Sequence, residues 1–421
     1  MIEKLFRLAD YGKGMFAGLL GVALNFSIQL MLTRHLGIVA FGTFALWRNN
    51  VQLSYGLGTF SLNMLALKEV SQRSSTEQSK LVWPFLVSGS KFVALMSLAG
   101  ATLIAIPLAQ ETSPPVAALV AVPCLGLVAF WAAANRAYNR DFTSLLLERA
   151  GQPFLFAGVI FAALLGFLKL SSESILFWFS GTCLLTLAFI LLIARPLFDL
   201  RKQSTIETLG FEKGEFSLLS IAQRSLPFFL ISVASFFSAR SPLLVSGFFL
   251  SAKELGQAAF MLSLAGLISV LLFSVNLIAG PQIAAAYARS DYTAAHHEVN
   301  HVRRIMIGVG SLTAAVLYFS APFMENMAGV KDIIHGPAFV ILLTANLVNL
   351  LLAVPALFLQ MTDAQKALAI VMNVGVALKI LLLVPLVSMA GTIGIAVAEL
   401  AQAVLVGTGV SILYRNKRMK Q

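Results

Sequence analysis

Long apolar segments separated by short polar loops repeat along the whole of this 421-residue chain. An α-helix needs about 20 mostly apolar residues to cross the roughly 30 Å hydrocarbon core of a bilayer. Twelve segments reach that length, so the pattern predicts an all-α polytopic membrane protein with about twelve transmembrane helices. The predicted spans are residues 15–33, 41–65, 81–108, 116–134, 145–168, 175–194, 219–250, 255–279, 305–324, 338–361, 367–387 and 393–413.

The composition also indicates a chain surrounded by lipid, because 58% of the residues are hydrophobic and only 12% are charged. Soluble domains usually carry about 25% charged residues, so this chain has too few charges to cover a water-facing surface. Its two cysteines, Cys124 and Cys183, lie inside apolar segments and offer neither a disulfide framework nor a zinc site. We expect them to pack as small apolar groups, and we predict no metal and no cofactor.

The net charge of +11 is distributed as a membrane topology requires. Basic residues fall between the apolar segments instead of clustering with aromatic residues, which argues against a nucleic-acid partner. With the N-terminus in the cytoplasm, 22 of the 30 Lys and Arg residues lie on the cytoplasmic side, four in outer loops and four deeper inside spans. The 22 include Arg149 and Arg224, which lie near the cytoplasmic ends of their spans. Because cytoplasmic loops are enriched in Lys and Arg, we predict a multi-pass protein of the cytoplasmic (inner) membrane with both termini in the cytoplasm.

The longest polar stretch follows the sixth predicted span and divides the chain into two halves. We predict an N-terminal six-helix bundle at residues 1–200, a cytoplasmic linker at 201–214 and a C-terminal six-helix bundle at 215–421. Six spans per half give both halves the same orientation, which predicts a pseudo-two-fold axis along the membrane normal and a site between the bundles. A weak internal echo agrees with this, since leucine–glycine motifs follow the first and the seventh spans, at residues 35–44 and 254–260.

Two stretches near the start of the chain, LMLTRHLGIVAFGTFAL at 30–46 and YGLGT at 55–59, resemble polysaccharide (O-antigen, Wzx-type) flippases. These belong to the multidrug/oligosaccharidyl-lipid/polysaccharide exporter superfamily, in which a leucine–glycine turn ends the first span and a glycine–aromatic step opens the second. The resemblance implies a transporter, not an enzyme, that flips an oligosaccharide linked to a polyprenyl diphosphate of the undecaprenyl type. It also implies contact with the lipid bilayer and with polysaccharide polymerase or assembly proteins.

The seventh predicted span departs from that family's pattern. The family often carries an Asp shortly after an Arg in this span, whereas Ser241 and Pro242 follow Arg240 here. An ion-coupling role resting on that Asp is therefore in doubt. Pro227 and Pro242 each remove a backbone hydrogen bond and favour a kink, so we expect bending in this span during alternating access, with a static kink as the alternative.

Charged residues inside predicted spans are the candidate functional groups, because each costs about 3 kcal/mol at the bilayer centre. Arg48, Lys91, Arg240 and Lys379 are basic, and Glu399 is the one acid well inside a predicted span. Surplus positive charge suits an anionic ligand, and a diphosphate offers acceptor oxygens to both Arg and Lys. We predict that the four cations bind substrate; the alternatives are that Arg48 reaches the membrane interface and that Lys379 pairs with Glu399.

Uncharged polar residues form stripes at helical spacing. Asn25 and Gln29 are four residues apart in the first predicted span, and Gln52 follows Arg48 by four residues in the second. Residues at this spacing share one helix face. We predict that Asn25, Gln29 and Gln52 contact sugar hydroxyls beside Arg48, while the alternative is hydrogen bonding between helices, worth about 0.6 kcal/mol in membranes.

The sequence leaves three other functions open. A cation-coupled multidrug/toxin exporter of the same superfamily would share the architecture, but carboxylates would be expected in its interior. The sequence HEVNH at 297–301 fits the H-E-x-x-H zinc-protease motif, although it falls in a predicted polar loop, 289–304, without an evident third ligand. The alternative is a solvated, phosphate-facing helix in that loop. A sealed, non-transporting scaffold for polysaccharide assembly is the third. The chain contains no phosphate-binding loop of the G-x-x-x-x-G-K-[ST] type, which argues against an ATPase.

Overall fold

The computed structural model describes residues 2–74, 81–108, 115–139, 142–171, 173–199, 217–269, 283, 286–287, 291–330, 336–361 and 364–419. Within these ranges every regular element is helical. The predicted linker, 201–214, and residues 270–279 of the eighth predicted span lie outside them. The α-helices are α1 Ile2–Gly58, α2 Leu62–Ser74, α3 Val82–Leu108, α4 Pro115–Asn139, α5 Phe142–Leu146, α6 Gln152–Leu164, α7 Ser174–Ile193, α8 Arg195–Asp199, α9 Leu218–Ser246, α10 Ala252–Ala265, α11 Tyr292–Ala328, α12 Pro337–Met361 and α13 Gln365–Met419, and a π-helical turn, Leu147–Gly151, joins α5 to α6.

Nine helical segments in the described part of the chain are long and apolar enough to cross a membrane. Two of them, α1 and α13, each contain two predicted spans and are interrupted by a glycine with positive φ, Gly37 at 81° and Gly391 at 56°. Helical structure therefore accompanies eleven predicted spans over most of their described length. The eighth predicted span begins with α10, and its residues 270–279 lie outside the described part of the chain.

The last two spans form a hairpin within α13. A Cβ added to Gly394 would lie 2.0 Å from the carbonyl oxygen of Leu386, although eight residues of straight helix would separate these positions by about 12 Å. Further along, a Cβ on Gly375 would lie 2.2 Å from Cγ2 of Val406. The chain therefore turns back at Gly391, and the two arms pack closely and antiparallel.

The contacts divide the chain into two compact units: unit 1 contains Met1–Leu46 and Ser241–Gln421, and unit 2 contains Trp47–Arg240. In unit 2, α4 packs against α2, α3 and α7. Its segment 132–134 consists of three buried alanines, whose small side chains permit close helix packing. In unit 1, α12 packs against α11 and α13. The predicted bundle boundaries at 200 and 215 stay a prediction.

The helix α11 begins earlier and ends later than the ninth predicted span. The side chain of Asp291 caps it by accepting a hydrogen bond from the Ala294 backbone at 3.0 Å, and Gly329, with φ of 69°, ends it. The HEVNH motif therefore lies in the first turns of a helix, with His297 and His301 exposed, which agrees with the alternative of a solvated helix in the loop. Glu325, which the sequence pattern put beyond the span, lies inside α11 and is buried.

The second predicted span is interrupted near its end. The helix α1 ends at Gly58 and α2 begins at Leu62, and between them Phe60 and Ser61 have φ of 49° and 54°. Left-handed backbone costs a residue with a side chain about 1–2 kcal/mol, so this break stores strain. By contrast α9 is helical throughout 218–246, the segment in which we expected bending.

Candidate functional site

Two of the predicted substrate-binding cations come together in unit 2. Arg48 lies on α1 and Arg240 on α9, and Asn49 connects these helices by donating a hydrogen bond from Nδ2 to the carbonyl oxygen of Arg240 at 3.0 Å. The two arginines are close enough to interact electrostatically, and Tyr55 lies within electrostatic reach of both. Because Asn49 is only 3% exposed, this hydrogen bond fixes the two helices to each other beside the arginine pair, as we call Arg48 and Arg240.

The helices around the arginine pair supply no acidic residue. Residues 38–58 of α1 and the whole of α3, α4, α7 and α9 contain neither Asp nor Glu. Two like charges in a low-dielectric interior raise each other's electrostatic energy, and a multivalent anion bound to both lowers it. Guanidinium groups bind phosphate bidentately, so this arrangement is chemically suited to a diphosphate. Gln52, one helical turn from Arg48, is half-buried on the same helix.

The remaining predicted residues do not join this pair. Lys91 has an exposed side chain on α3. Asn25 and Gln29 are half-buried on the part of α1 that belongs to unit 1. Asn25 donates a hydrogen bond from Nδ2 to the Gly21 carbonyl of its own helix at 2.8 Å. The predicted set of Asn25, Gln29, Arg48 and Gln52 is thus divided between the two units, and its role in substrate binding stays a prediction.

Lys379 lies in a buried ion pair. Its side chain is completely buried in unit 1, and its Nζ lies 2.5 Å from Oε1 of Glu399 across the α13 hairpin. This is the pairing that the sequence left open as an alternative. The carboxylate accounts for the buried charge without a ligand, and a substrate role for Lys379 stays a prediction.

A second group of charges in unit 2 was missed by the sequence reasoning. Glu69 of α2 accepts a hydrogen bond from Nε of Arg73 at 2.8 Å and also forms a hydrogen-bonded ion pair with Arg224 of α9. Burial raises the pKa of Glu69, but hydrogen bonds from Arg224 and Arg73 outweigh it and lower the pKa overall. We call these three residues the Glu69 triad. Glu69 and Arg73 have the i,i+4 spacing of neighbours on a helix face, so their pairing could have been predicted from the sequence. The pairing with Arg224 could not, because Arg224 is 155 residues away from Glu69.

The two motifs of the internal echo contact each other in unit 1. A Cβ on Gly42 would lie 2.1 Å from the carbonyl oxygen of Ala252, and a Cβ on Gly256 would lie 2.1 Å from that of Ile38. Glycine is therefore required on both sides for the backbones of α1 and α10 to approach this closely. Ser251 and Glu254 start α10 with a reciprocal capping box.

The HEVNH motif has no geometry of a metal site in the described residues. His297 and His301 are exposed, with parallel rings 6.4 Å apart, and no group of three potential ligands occurs in the described part of the chain. The neighbouring His296 is buried instead. Its Nδ1 lies 2.9 Å from the hydroxyl of Tyr414, and its ring stacks on Phe358 at 4.9 Å, which indicates a structural role for this histidine.

No protein-family model and no curated protein sequence matches this chain, but solved structures resemble it over nearly its whole length. A multidrug resistance MATE family transporter of the MOP superfamily, in an inward-facing conformation, has a TM-score of 0.66 at 14% identity and covers 95% of this chain and 96% of its own. The lipid II flippase MurJ, in an inward closed conformation, has a TM-score of 0.68 at 16% identity and covers 97% and 87%. A MOP superfamily transporter from Pyrococcus furiosus, whose binding pocket of reverse polarity suggests a different function, has a TM-score of 0.56 at 15% identity and covers 98% and 95%.

The chain therefore has the polytopic, all-helical membrane fold of MOP superfamily transporters. The predicted all-α polytopic fold class is confirmed, and the pseudo-two-fold relation of two six-helix bundles stays a prediction. The similar structures include both a multidrug transporter and a lipid flippase, so the fold alone is compatible with either kind of substrate.

Proposed function

We propose that this protein is a flippase of the cytoplasmic membrane that moves a polyprenyl-diphosphate-linked oligosaccharide from the inner to the outer leaflet. The carrier lipid is of the undecaprenyl type, and the oligosaccharide is a unit of O-antigen or another surface polysaccharide. In this mechanism the arginine pair binds the diphosphate, polar side chains such as Gln52 contact the sugar, and the lipid tail stays in the bilayer.

The arginine pair is the observation that carries this proposal. It joins two guanidinium groups from different helices, in a part of unit 2 whose surrounding helices contain no acidic residue. Buried charges within membranes generally mark a ligand or an ion pathway. The sign of the charge here favours an anionic head group. The similarity to MurJ supports the same class of substrate, because that protein is a flippase of lipid II.

The direction of transport follows from the proposed topology. The excess of Lys and Arg in alternate loops supports cytoplasmic termini and a substrate that arrives from the cytoplasmic leaflet. A lipid-linked oligosaccharide delivered to the outer leaflet must be consumed there, so polymerase or assembly proteins for polysaccharide are the proposed partners.

A multidrug exporter of the same superfamily is the second candidate, because a MATE transporter is about as similar in fold as MurJ. Exporters of organic cations need negative charge to attract their substrate. Glu325 and Glu399 both lie in unit 1, whereas the buried Glu69 of unit 2 is paired with two arginines in the Glu69 triad. An exporter's binding site therefore belongs in unit 1 instead of at the arginine pair.

Reconstitution into liposomes tests the proposal directly. The vesicles contain a fluorescent polyprenyl-diphosphate oligosaccharide, and a membrane-impermeant quencher reports how fast the label changes leaflet. We expect the native protein to accelerate this exchange and Arg48→Ala to slow it about 10–100-fold, since a charge-assisted hydrogen bond is lost. Arg48→Lys keeps the charge without the bidentate geometry and should give an intermediate rate.

Arg304→Ala is the matched control, because it removes an exposed arginine of α11 and should leave the rate unchanged. Transport of a fluorescent organic cation is measured in parallel with the same preparations. Exchange of the lipid at the native rate by Arg48→Ala contradicts the role of the arginine pair. Cation transport without lipid exchange contradicts the flippase function and favours the exporter.

A further inference from the structure

A groove of about 420 Å³ lies in unit 1 between α12 and the second arm of the α13 hairpin. Val348 and Leu352 of α12 form one wall, and α13 from Val404 to Arg415 forms the other. The two helices touch at the floor of the groove, since a Cβ on Gly407 would lie 2.0 Å from Cδ1 of Leu352. Ligand pockets usually enclose about 300–1,000 Å³, so a space of this size accommodates a ligand.

The groove extends over one leaflet of the bilayer. Val404 lies at the middle of the predicted span 393–413, and Arg415 lies two residues beyond the end of that span. The helix rises about 16 Å between these two residues, which is about half of the roughly 30 Å hydrocarbon core. In the proposed topology the Arg415 end is cytoplasmic, so the groove runs from the bilayer centre to the head groups of the cytoplasmic leaflet.

The lining changes from apolar to polar along this length. Val404 and Ile412 have exposed apolar side chains, which lipid tails cover within a span. The hydroxyl of Thr408 already donates a hydrogen bond to the carbonyl oxygen of Val404 at 2.8 Å, so it needs no polar partner from a ligand. Ser411 and Arg415 are exposed and, four residues apart, share one helix face at the head-group end. This order matches the acyl chain, the ester linkage and the phosphate of a phospholipid.

Positive charge dominates the cytoplasmic end of the groove. Arg415 is charged, and the described lining contains no acidic residue. Lys417 and Arg418 follow on α13, and both Arg418 and Arg303 of α11 lie within electrostatic reach of Tyr414. Basic pockets between transmembrane helices on the cytoplasmic side bind anionic lipid head groups. The charge at this end therefore favours an anionic head group over a zwitterionic one.

We propose that this groove binds one anionic phospholipid of the cytoplasmic leaflet, with an acyl chain between α12 and α13 and the phosphate on Arg415. The guanidinium donates hydrogen bonds to the phosphate oxygens, and the hydroxyl of Ser411 donates one to an ester oxygen. Because the acyl chain contacts both helices, the bound lipid stabilises the packing of α12 on the second arm of α13. The site is the same for a flippase and for an exporter, and only the choice of leaflet rests on the proposed topology.

Native mass spectrometry of the purified protein in detergent tests the site, because it counts the lipids bound to each molecule. The protein is titrated with dioleoylphosphatidylglycerol, which is anionic, and with dioleoylphosphatidylcholine, which is zwitterionic. We expect the first phosphatidylglycerol to bind about tenfold more tightly than the first phosphatidylcholine, and Arg415→Ala to lose this preference, since a charge-assisted hydrogen bond contributes about that factor. Glycerol phosphate, which has no acyl chain, should not bind at the same concentrations.

Thr408→Trp fills the groove at an exposed position without changing its charge, and should weaken binding of the first phosphatidylglycerol by a similar factor. Arg304→Ala is the matched control. It removes an exposed arginine directly before the predicted span 305–324 and outside the groove, and should leave the affinity unchanged. Melting temperatures recorded without lipid establish that each variant is folded, and phosphatidylglycerol should raise the melting temperature of the native protein more than that of Arg415→Ala.

Native affinity for phosphatidylglycerol in either folded groove variant overturns the proposal, and so does equal affinity of the native protein for the two phospholipids. Farnesyl diphosphate serves as the competitor. If it displaces bound phosphatidylglycerol at a lower concentration than phosphatidylglycerol itself requires, the groove belongs to a polyprenyl lipid and the phospholipid assignment is overturned. These measurements involve no transport, so their result is independent of whether the protein is a flippase.

Discussion

The two units treat positive charge inside the predicted spans in different ways. In unit 1 the completely buried Lys379 is held 2.5 Å from the carboxylate of Glu399. In unit 2, Arg48 and Arg240 lie within electrostatic reach of each other, and the helices around them contain no acidic residue. A buried ion pair satisfies its own charges, whereas two neighbouring cations create a positive potential that attracts an anion. The comparison therefore separates a structural charge from a candidate ligand site, although both were predicted from basic residues inside spans.

The largest expected effect concerns the stability of the paired lysine. Replacing Lys379 by Ala leaves Glu399 as an uncompensated charge, which typically costs about 3–5 kcal/mol. The double change Lys379→Met with Glu399→Leu removes both charges and should be nearly neutral or stabilising. Thermal unfolding of detergent-solubilised protein measures both variants.

Arg48→Ala in unit 2 is the variant to compare with Lys379→Ala. Because it removes one of two mutually repelling charges, it should cost far less stability than Lys379→Ala while reducing lipid exchange. Equal losses of stability in Arg48→Ala and Lys379→Ala would show that the arginine is also a structural charge, and the contrast between the units would be lost.

The glycine contact of unit 1 gives the next largest effect. Gly42→Ala places a methyl group 2.1 Å from the carbonyl oxygen of Ala252, and such overpacking usually costs about 1–3 kcal/mol. Gly18→Ala, on the same helix with open space around the new methyl group, should instead gain about 0.5–1 kcal/mol from helix propensity. The two melting temperatures should move in opposite directions; a stabilised Gly42→Ala would mean that α1 and α10 separate readily at this point.

Relief of the backbone strain in unit 2 should change the stability less than Gly42→Ala does, and in the opposite direction. Ser61 has left-handed backbone and a buried hydroxyl without a hydrogen-bond partner among the described residues. Ser61→Gly removes both penalties and should stabilise the protein by about 1–2 kcal/mol, whereas Ser61→Ala removes only the hydroxyl and should gain less. Equal stability of the Gly and Ala variants would show that the backbone there is unstrained.

Much of the fold follows from local sequence properties. Apolar length alone predicted the spans, and the separate spans on each side of Gly391 became the two arms of the α13 hairpin. The limits of α11 were harder to predict, because a helix does not end where the membrane ends: its first turns are polar and exposed at His297 and His301, and Glu325 is buried near its last turn. Apolarity therefore marks what lipid covers and not where a helix starts or stops.

The candidate sites depend on contacts between distant parts of the chain. Mid-span position identified Arg48 and Arg240 separately, and Lys379 and Glu399 were an evident option because their spans are adjacent in sequence. The Glu69 triad was not predicted, since Arg224 is 155 residues from Glu69 and its charge was fully explained by topology. The left-handed conformation of Ser61 could not be predicted from the sequence either, because serine has no intrinsic preference for it.

The smallest expected effect is a pH dependence that distinguishes the triad from an exposed carboxylate in unit 1. The pKa of Glu69 is lowered in the folded protein, because the hydrogen bonds from Arg224 and Arg73 outweigh burial, which raises it. Its contribution to stability is therefore complete above its ordinary pKa of 4.5 and is lost as the pH falls through the lower, folded value. We expect a contribution below about 1 kcal/mol, since Arg224 remains partly exposed to solvent screening.

Melting temperatures recorded from pH 6 downwards should fall less steeply in Glu69→Gln than in the native protein. Glu254 is the control from unit 1: hydrogen bonds from the side chain and backbone of Ser251 lower its pKa as well, but at an exposed helix start, so Glu254→Gln should leave the profile nearly unchanged. Identical profiles for native protein and Glu69→Gln would mean that Arg224 and Arg73 interact no better with the charged carboxylate than water does.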